Sequence, residues 1–501
     1  MKLHESICWA LACLSLPNAA VAGPTSVPTK PDDQFKTVAK ASENIRSERL
    51  DYAETVDAAC KAAELALGSD TVDTAPLNQT VVEENWSQAC IATPYCIIQP
   101  SDADAVATCI RIFASYKVKF AVRSGGHSSS PGSSSIGEMG ILLDMQRMNQ
   151  VQLGQNDSVG LAVVGGRVPG IGVGGFLLGG GMHTTSGEYG TGADNVKNFE
   201  VVLSDSSIVN ANASSHADLF WALKGGGPNF GLVTRFDVYT TSIPTIWIQA
   251  SVYPVEDVET VLDAFYQWQT GGGAADLKSN IGLSLGIEAL TVVFFYAEPS
   301  AQTPAAFAPF ENLQPLQVAL PATNATFGPL EQLANTVISS VPRRTATSRM
   351  DAQLYKDTYS YWYQRARRVH ETTGANQTFT IEHVPATIAK QGVQKGGNPM
   401  NIPAEDHTWW ETLVDWEHAQ DDDTVRSVAI DTTAEWDRQA KARGLHLPFL
   451  YMNHAARDQD PLTSYGSENL AKLRRIAQKY DPSQLFQTLQ NGGFLLSRTS
   501  K

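Results

Sequence analysis

The stretch Phe-Ala-Val-Arg-Ser-Gly-Gly-His-Ser, residues Phe120 to Ser128, decides the fold that this sequence predicts. Its first four residues form a β-type run, and two glycines then free the backbone just before a histidine. A second glycine-rich segment runs from Gly165 to Gly175, and three more glycines, Gly179 to Gly181, close it. Glycine at this density is costly in conformational entropy, and it is typical of turns and of backbone that approaches a ligand closely.

The spacing of these glycines argues against the two commonest nucleotide-binding motifs. After Gly172 and Gly174, Leu177 stands where a Gly-x-Gly-x-x-Gly motif would need its third glycine. The phosphate-binding motif Gly-x-x-x-x-Gly-Lys-Ser/Thr occurs nowhere in the chain. The glycines therefore predict neither a Rossmann domain nor a P-loop.

What these segments do resemble is the FAD-linked oxidases of the berberine-bridge-enzyme and vanillyl-alcohol-oxidase type, in their fungal secreted form. Residues 123–128 match the loop that cradles the FAD pyrophosphate, and residues 163–181 and 189–196 match the second cofactor segment. Residues 229–234 and 480–486 continue the match, which covers most of the chain. The resemblance implies an α+β fold, with a two-part PCMH-type FAD-binding domain and an inserted substrate domain of antiparallel sheet covered by helices.

The same resemblance divides the chain. It predicts an N-terminal segment at 23–92, the FAD-binding domain at 93–242, the substrate-binding domain at 243–445, and a C-terminal segment at 446–501 that completes the FAD-binding domain. The cofactor contacts that it implies are Arg123, Ser124, Gly125, Gly126, His127, Ser128, Gly165, Gly166, Val168, Gly170, Gly172, Gly174, Gly175, Asp194, Asn195, Val233 and Asn453.

His127 is expected to carry the covalent bond to FAD, since the family's histidine at this place is bonded to the 8-methyl carbon of the flavin. Some relatives have a second bond from a cysteine, and Val168 stands at that position here, so a single bond is expected. Gly166 falls near the family's oxygen-access position, where a small residue favours an oxidase.

Tyr451-Met-Asn453-His454 supplies the predicted catalytic residues, Tyr451 and His454. Carbohydrate and aromatic-alcohol relatives often use the last tyrosine of a Tyr-x-Asn-Tyr segment as the base, and His454 replaces it here. Either His454 accepts a proton or stabilises the anionic reduced flavin, or it is a structural polar residue. No Cys-x-x-Cys or His-Glu-x-x-His motif occurs, so no metal site is predicted.

Residues 1–22 predict a secretory signal peptide, with an apolar run from Ile7 to Leu16 and a small-residue cleavage site at Ala20-Val-Ala22. The predicted location is therefore extracellular. The net charge of −15 argues against nucleic acid or an anionic membrane as partner. The family resemblance implies a small-molecule substrate and oxygen as partners. Six sequons agree with secretion, at Asn78, Asn85, Asn156, Asn212, Asn324 and Asn376.

The cysteines that remain after signal removal are Cys60, Cys90, Cys96 and Cys109. Four cysteines allow three pairings in two disulfides. The resemblance to plant relatives implies the pair Cys60–Cys109.

Local patterns predict several elements. Asp102 is a predicted N-cap for a helix through Tyr116, and residues 199–210 read as a hairpin. Trp409, Trp410 and Trp416 favour core packing over substrate stacking, and residues 421–423 favour a helix start or solvated loop over a metal site.

One departure from the family follows Ser158, where a strand and a helix of the FAD-binding domain are missing from the sequence. Two classes of function remain. The first is an FAD-dependent oxidase that takes two electrons from an alcohol, an amine or a cyclising secondary metabolite and gives hydrogen peroxide, with an oligosaccharide oxidase as its variant. The second is a secreted non-catalytic relative, which the missing segment and His454 favour.

Overall fold

The computed structural model describes residues 31–154, 163–168, 170–243, 245–326 and 344–499, with side chains from residue 49 onward. From Ala53 on, the chain forms one compact unit, to which all the contacts below belong. The helices are α1 (Pro31–Leu67), α2 (Gln79–Val82), α3 (Ala103–Tyr116), α4 (Val173–Leu178), α5 (Ser186–Tyr189), α6 (Ala217–Leu223), α7 (Val258–Thr270), α8 (Ala352–Thr373), α9 (Thr387–Gln394), α10 (Asp422–Ala442), α11 (Pro461–Ser464), α12 (Ser467–Tyr480) and α13 (Leu485–Thr488).

The strands belong to three sheets. They are β1 (Val72–Asp73), β2 (Cys96–Ile98), β3 (Phe120–Arg123), β4 (Ile141–Asp144), β5 (Val196–Val202), β6 (Ile208–Asn212), β7 (Leu232–Val238), β8 (Ile246–Pro254), β9 (Ser279–Leu285), β10 (Ala289–Tyr296), β11 (Gln317–Ala325), β12 (Arg344–Ser348), β13 (Asn376–Val384), β14 (His407–Asp415) and β15 (His446–Leu447).

The first sheet has the order β1-β2-β4-β3, with parallel pairing of β4 to both β2 and β3. Its central strands are apolar and buried, as parallel strands covered on both faces require. Helix α3 connects β2 to β3 and begins where predicted, because the Asp102 carboxylate accepts a hydrogen bond from the Ala105 amide. Strand β3 covers the residues predicted for it and ends at the first glycine loop.

The second sheet is the small antiparallel sheet β6-β5-β7, and its β5–β6 pair is the predicted hairpin. The end of the chain returns to the first sheet. The Phe120 amide donates to the Leu489 carbonyl at 3.1 Å, and the Asn491 amide donates to the Phe120 carbonyl at 2.7 Å. Residues more than 350 positions apart in sequence therefore share one edge of β3.

The third sheet is antiparallel throughout, in the order β11-β8-β10-β9-β13-β14-β12-β15. Alternation along β13 and β14 separates its two faces. Phe379, Ile381 and Trp410 pack on the outer face, in a core that includes Trp362 of α8 and Trp436 of α10. This sheet with helices outside is the predicted substrate domain architecture, and β15 extends it two residues beyond the predicted boundary at 445.

The other face of this sheet, which we call the inner face, carries Val384 and Trp409 into a second core. That core also contains Tyr451 and residues of β5, α6 and α12. The tryptophans at 409 and 410 are fully buried, which confirms that they serve core packing. Residues 421–423 form the start of α10, as predicted.

The implied disulfide Cys60–Cys109 is wrong, because Cys60 is bonded to Cys96. Tyr95 donates a hydrogen bond from its hydroxyl to Asp57 at 3.1 Å, and this contact holds the end of α1 beside the start of β2. Cys109 instead points from α3 into the core, and burial raises the pKa of its thiol. Cys90 is also a buried free thiol.

Several predictions fall outside the described residues: the signal peptide at 1–22, the sequon at Asn156, and the junction at Ser158. Among the other sequons, Asn85 is buried and its side-chain oxygen accepts a hydrogen bond from Ser134 at 2.8 Å, so a glycan does not fit there. No helix in the described part of the chain combines the length and apolarity needed to cross a membrane.

The lowered pKa values of two buried histidines indicate that the fold loses stability in acid. Burial, reinforced by the charge of Arg167, lowers the pKa of His183 to about 4, and burial also lowers the pKa of His407 to about 4. The neutral form of His407 is fixed, since its Nδ1 donates to the Glu405 carbonyl at 2.7 Å while its Nε2 accepts from Trp409 at 3.1 Å.

Because the unfolded chain binds these protons at higher pH than the native state, stability is lost as the pH falls below about 6.5. We expect the free energy of unfolding to drop between pH 7 and pH 5 by on the order of 2 kcal/mol for each histidine. Urea unfolding at both pH values measures this, and His407→Gln should reduce the pH dependence. Equal stability of the wild type at the two pH values would contradict it.

Candidate active site

The two glycine segments meet directly in the structure. A Cβ added to Gly125 would lie 2.3 Å from the Gly172 nitrogen and 2.4 Å from the Gly170 oxygen. A Cβ added to Gly172 would lie 2.1 Å from the Gly125 nitrogen and 2.5 Å from the Ser124 hydroxyl. The contact is between backbones, so no side chain fits at either position. The predicted cofactor segments are thus brought together, 45 residues apart in sequence.

Gly170, Gly172 and Gly175 do have the spacing Gly-x-Gly-x-x-Gly. Their context is not that of a dinucleotide-binding motif, which follows a strand and opens a long helix. Residues 163–168 contain no strand, and α4 has only six residues. The glycine spacing therefore does not by itself exclude a Rossmann motif, and it is the structural context of these glycines that disfavours one.

His127 lies half-buried between two neighbours. Its ring stacks on Trp86, with centroids 5.1 Å apart and planes 15° from parallel. On the other side, a Cβ at Gly170, where φ is +78°, would come within 2.9 Å of the His127 Nε2. The Trp86 amide also donates to the Gly126 carbonyl at 3.1 Å, so the loop and the stacked ring are held as one unit.

Arg123 lies beneath this loop and is completely buried. Its Nη2 contacts Asp144 at 3.0 Å and Glu84 at 3.3 Å. This ion pair joins β3 to β4 and fixes the strand from which the loop departs. Ser128, at the far end of the loop, accepts a hydrogen bond from the Ser130 amide. A contact of either residue with a cofactor stays a prediction.

Other predicted cofactor residues occupy packed positions. Asp194 accepts hydrogen bonds from Thr191 and Asn398, and Asn195 accepts one from Lys395 at 2.7 Å. Val233 lies on β7, opposite Val201 of β5. Gly165 and Val168 are partly buried. Gly166 faces Ile171, and Gly174 contacts Ser124. Gly175 is the exception, since it faces open space.

Helix α4 connects the glycine contact to the predicted catalytic loop. At its start, Gly174 lies against Ser124. At its end, the Asn453 amide group donates to the Phe176 carbonyl at 3.0 Å, and a Cβ at Gly179 would lie 1.9 Å from the Asn453 oxygen. Residues 451–454 are therefore tied to the same glycine segment that contacts the histidine loop.

Two glutamates reach this loop from the inner face of the large sheet. Glu382 of β13 pairs in register with Trp409 of β14, and Glu411 pairs with Thr380, so both glutamates lie on the side of Trp409. Sequence reasoning missed them. The available signal was a single glutamate inside each of two strands, next to a large apolar residue (Ile381 or Trp410), which predicts a buried carboxylate with a specific partner.

Glu382, Glu411 and His454 form a cluster in which one ligand atom from each lies within 4.8 Å of the others. The His454 Nδ1 is 3.2 Å from Glu411 Oε2, and both side chains are more than nine-tenths buried. Arg167 of the second glycine segment, also missed from the sequence, places Nη1 2.6 Å from Glu382 Oε1. Because the guanidinium already neutralises one carboxylate, the cluster does not need a metal ion to balance its charge.

The surroundings of the cluster change the pKa values of Arg167 and Tyr451. Burial opposes the charged form of Arg167, but the nearby carboxylates of Glu382 and Glu411 outweigh it and raise the pKa of Arg167. Burial raises the pKa of Tyr451 to about 12, so its phenol is protonated at neutral pH. Tyr451 stacks on Trp409 at 4.6 Å and accepts a hydrogen bond from Asn453 at 3.2 Å.

Glu382 and Arg167 also line a cavity beneath the sheet, which we call the inner cavity. His183, Leu283 and Thr380 contribute further to its wall. The cluster can thus bind a small molecule at the cavity and take up a proton from it. His454 and Tyr451, the predicted catalytic pair, lie at the cluster but behind Glu382.

Comparison with known proteins shows that the chain is related to FAD-dependent oxidoreductases. The family model described as FAD binding domain matches residues 94–169. An FAD-dependent monooxygenase of Arthrobotrys oligospora is 34% identical over 463 residues, which cover 88% of this chain and 89% of that protein. The bifunctional solanapyrone synthase of Alternaria solani is 31% identical over 431 residues, which cover 80% of this chain and 82% of that one.

Among solved structures, the glucooligosaccharide oxidase of Acremonium strictum, studied for its 6-S-cysteinyl, 8α-N1-histidyl FAD, has a TM-score of 0.69 at 17% identity. The match covers 86% of this chain and 97% of that one. At this identity it shows the fold alone, and it confirms the predicted α+β architecture.

Proposed function

This chain belongs to the FAD-linked oxidoreductases of the berberine-bridge-enzyme and vanillyl-alcohol-oxidase type, and from that premise we propose that it is a secreted oxidase. Its proposed substrate is an alcohol, an amine or a cyclising secondary metabolite. The oxidation removes two electrons and two protons from this substrate, and oxygen receives them as hydrogen peroxide. The proposal rests on one observation. Helix α4 connects the contact between the two glycine loops, beside His127, to the Glu382–Glu411–His454 cluster.

The described residues fit FAD, the cofactor of the family. Gly125 and Gly172 leave room only for backbone, so the two loops can offer amides to a diphosphate without side chains in the way. His127, held by Trp86, lies on the same loop. At the other end of α4, Asn453 and Tyr451 provide the polar side chains that would border the flavin ring.

When bound, FAD supplies a two-electron acceptor, and the chain must position the substrate and remove its proton. We assign the proton uptake to Glu382, since it is the carboxylate of the cluster that lines the inner cavity. Its ion pair with Arg167, at 2.6 Å, holds the carboxylate in place at the cavity. His454, held by Glu411 at 3.2 Å, is placed to receive the proton next.

A monooxygenase is the second candidate, because several relatives at 30–34% identity bear that name. The two activities differ in the fate of oxygen. An oxidase releases one peroxide per product, whereas a monooxygenase transfers an oxygen atom to the product. Turnover under ¹⁸O₂ with peroxide detection separates them: label in the product with substoichiometric peroxide would contradict the oxidase. An oligosaccharide oxidase is less favoured, because His454 replaces the closing tyrosine.

We expect His127 to carry the only covalent link to FAD. The purified wild type should be yellow, and the colour should stay with the protein after acid precipitation. His127→Ala should release its flavin into the supernatant or lack it, while His418→Ala, which replaces an exposed histidine, should behave as the wild type. Wild-type flavin that leaves with the supernatant would contradict the covalent bond, and a colourless wild-type protein would contradict the oxidase.

Secretion is part of the proposal. The predicted signal peptide at 1–22 and the Cys60–Cys96 disulfide support it, because disulfides persist in oxidising compartments. Expression in a fungal host with N-terminal sequencing of the protein from the medium tests it, with cleavage after Ala22 as the expected result.

A further inference from the structure

A second cavity lies outside the cluster described above. We call it the arginine pocket. Its lining includes residues 129–131 of the histidine loop, the end of β14, the first turns of α10 and residues 456–458. The pocket therefore starts two residues after His127 on one segment and two residues after His454 on another.

The charges of this pocket are not balanced. Arg344 is paired with Asp458 at 2.7 Å, and Asp422 accepts a hydrogen bond from the Trp416 indole at 2.7 Å. In contrast, Arg426 and Arg457 form no salt bridge with any carboxylate in the described part of the chain. Both arginines line the pocket, so two guanidinium groups face a space that a ligand could enter.

Both arginines exert their charge on neighbours at the pocket wall. Burial favours the protonated form of Asp458, but its hydrogen bond to Arg344 and the charges of Arg344 and Arg426 lower its pKa. Arg457 acts on Cys90 in the same direction, although burial dominates and raises the pKa of that thiol to about 11. The excess positive charge is local, in a protein whose net charge is −15.

The remaining wall is apolar. Val414, Trp416, Ala429, Ile430 and Ala456 line it, and Ile430 is 39% exposed. Trp416 and Trp86 pack against the same small core, and Trp86 stacks on His127. An apolar wall with two guanidinium groups is complementary to a molecule with an apolar body and a carboxylate.

We propose that the arginine pocket is a second ligand site, apart from the inner cavity at Glu382, and that it binds an amphipathic carboxylic acid. Its carboxylate lies between Arg426 and Arg457, and its apolar body lies on Trp416 and Ile430. This site is separate from the inner cavity, so the proposal goes beyond the proposed oxidase function. The presence of a carboxylate site does not depend on that function.

The test is calorimetric binding of 4-phenylbutyrate to the purified holoprotein, compared with its neutral amide, 4-phenylbutanamide. We expect the acid to bind at least tenfold more tightly than the amide. The double variant Arg426→Gln/Arg457→Gln should weaken binding of the acid at least tenfold without changing that of the amide. Arg457→Gln alone, which alters an exposed residue, should give part of the effect, and Arg367→Gln on the surface of α8 should give none.

Equal affinity for acid and amide, or no binding of the acid, would overturn the carboxylate site, as would a double variant with unchanged affinity. Because calorimetry requires no turnover, these outcomes are distinct from failure of the oxidase proposal. If the acid binds but the wild type proves colourless, the carboxylate site stands and the oxidase proposal alone is overturned.

Discussion

Glu382→Gln is expected to lower kcat by a factor of about 10² to 10⁴, the range typical of a lost general base. Glutamine keeps the size of the side chain and cannot accept a proton at its amide. The amide oxygen of glutamine can still accept a hydrogen bond from Arg167, which lies 2.6 Å from Glu382 Oε1, so binding of the substrate should change less than kcat does. The rate of flavin reduction, measured anaerobically by stopped flow, reports this step directly.

The matched control is Glu405→Gln. It makes the same chemical change and also breaks an ion pair with an arginine, Arg349, but it lies at the protein surface. We expect its kcat to stay within about threefold of the wild type, since surface ion pairs contribute little. Thermal unfolding of both variants shows whether the fold is intact. A folded Glu382→Gln protein with nearly wild-type flavin reduction would eliminate Glu382 as the proton acceptor.

Gly125→Ala is expected to disrupt the cofactor region more than any surface change. The new methyl group would lie 2.3 Å from the Gly172 nitrogen and 2.4 Å from the Gly170 oxygen. Both are backbone atoms, so no side chain can rotate away, and one loop must move. We expect a loss of about 3 kcal/mol or more in the free energy of unfolding, together with a large fall in flavin content.

Gly175→Ala provides the comparison within the same segment. No atom lies within 4 Å of its added Cβ, and it lies inside α4, where alanine is favoured over glycine. We expect this variant to match or slightly exceed the wild type in stability. If urea unfolding and flavin content place Gly125→Ala level with Gly175→Ala, the close contact of the two loops is wrong.

Local signals in the sequence were sufficient for the elements around the site. The run from Phe120 to Arg123 and the capping carboxylate of Asp102 each act within a few residues, and both elements formed where predicted. The family motifs then identified the glycine segments, which the structure brings into contact. The strand and the helix cap were predictable because the interactions that form them act between near neighbours in sequence. The glycine segments were predictable because their motif is specific to the family.

The remaining features depend on distant residues. The partner of Cys60 is decided by where Tyr95 meets α1, and no spacing rule contains that contact. Glu382 and Glu411 become neighbours only through the register of β13 with β14. Arg167 lies inside the predicted second cofactor segment, but its ion-pair partner, Glu382, belongs to the predicted substrate domain. Pairings of this kind require the sheet order, which alternation alone does not determine.

The return of the chain to β3 has a consequence for the order of events during synthesis. Phe120 is paired with Leu489 and Asn491, and Asn229 donates a hydrogen bond to the Phe494 carbonyl at 2.9 Å. A ribosome that adds about 5–20 residues per second must therefore complete the whole inserted domain before the first sheet obtains its last edge. The large sheet can fold while the nascent chain is still attached. The flavin half waits for residues 489–494, so insertion of the cofactor follows synthesis of the inserted domain.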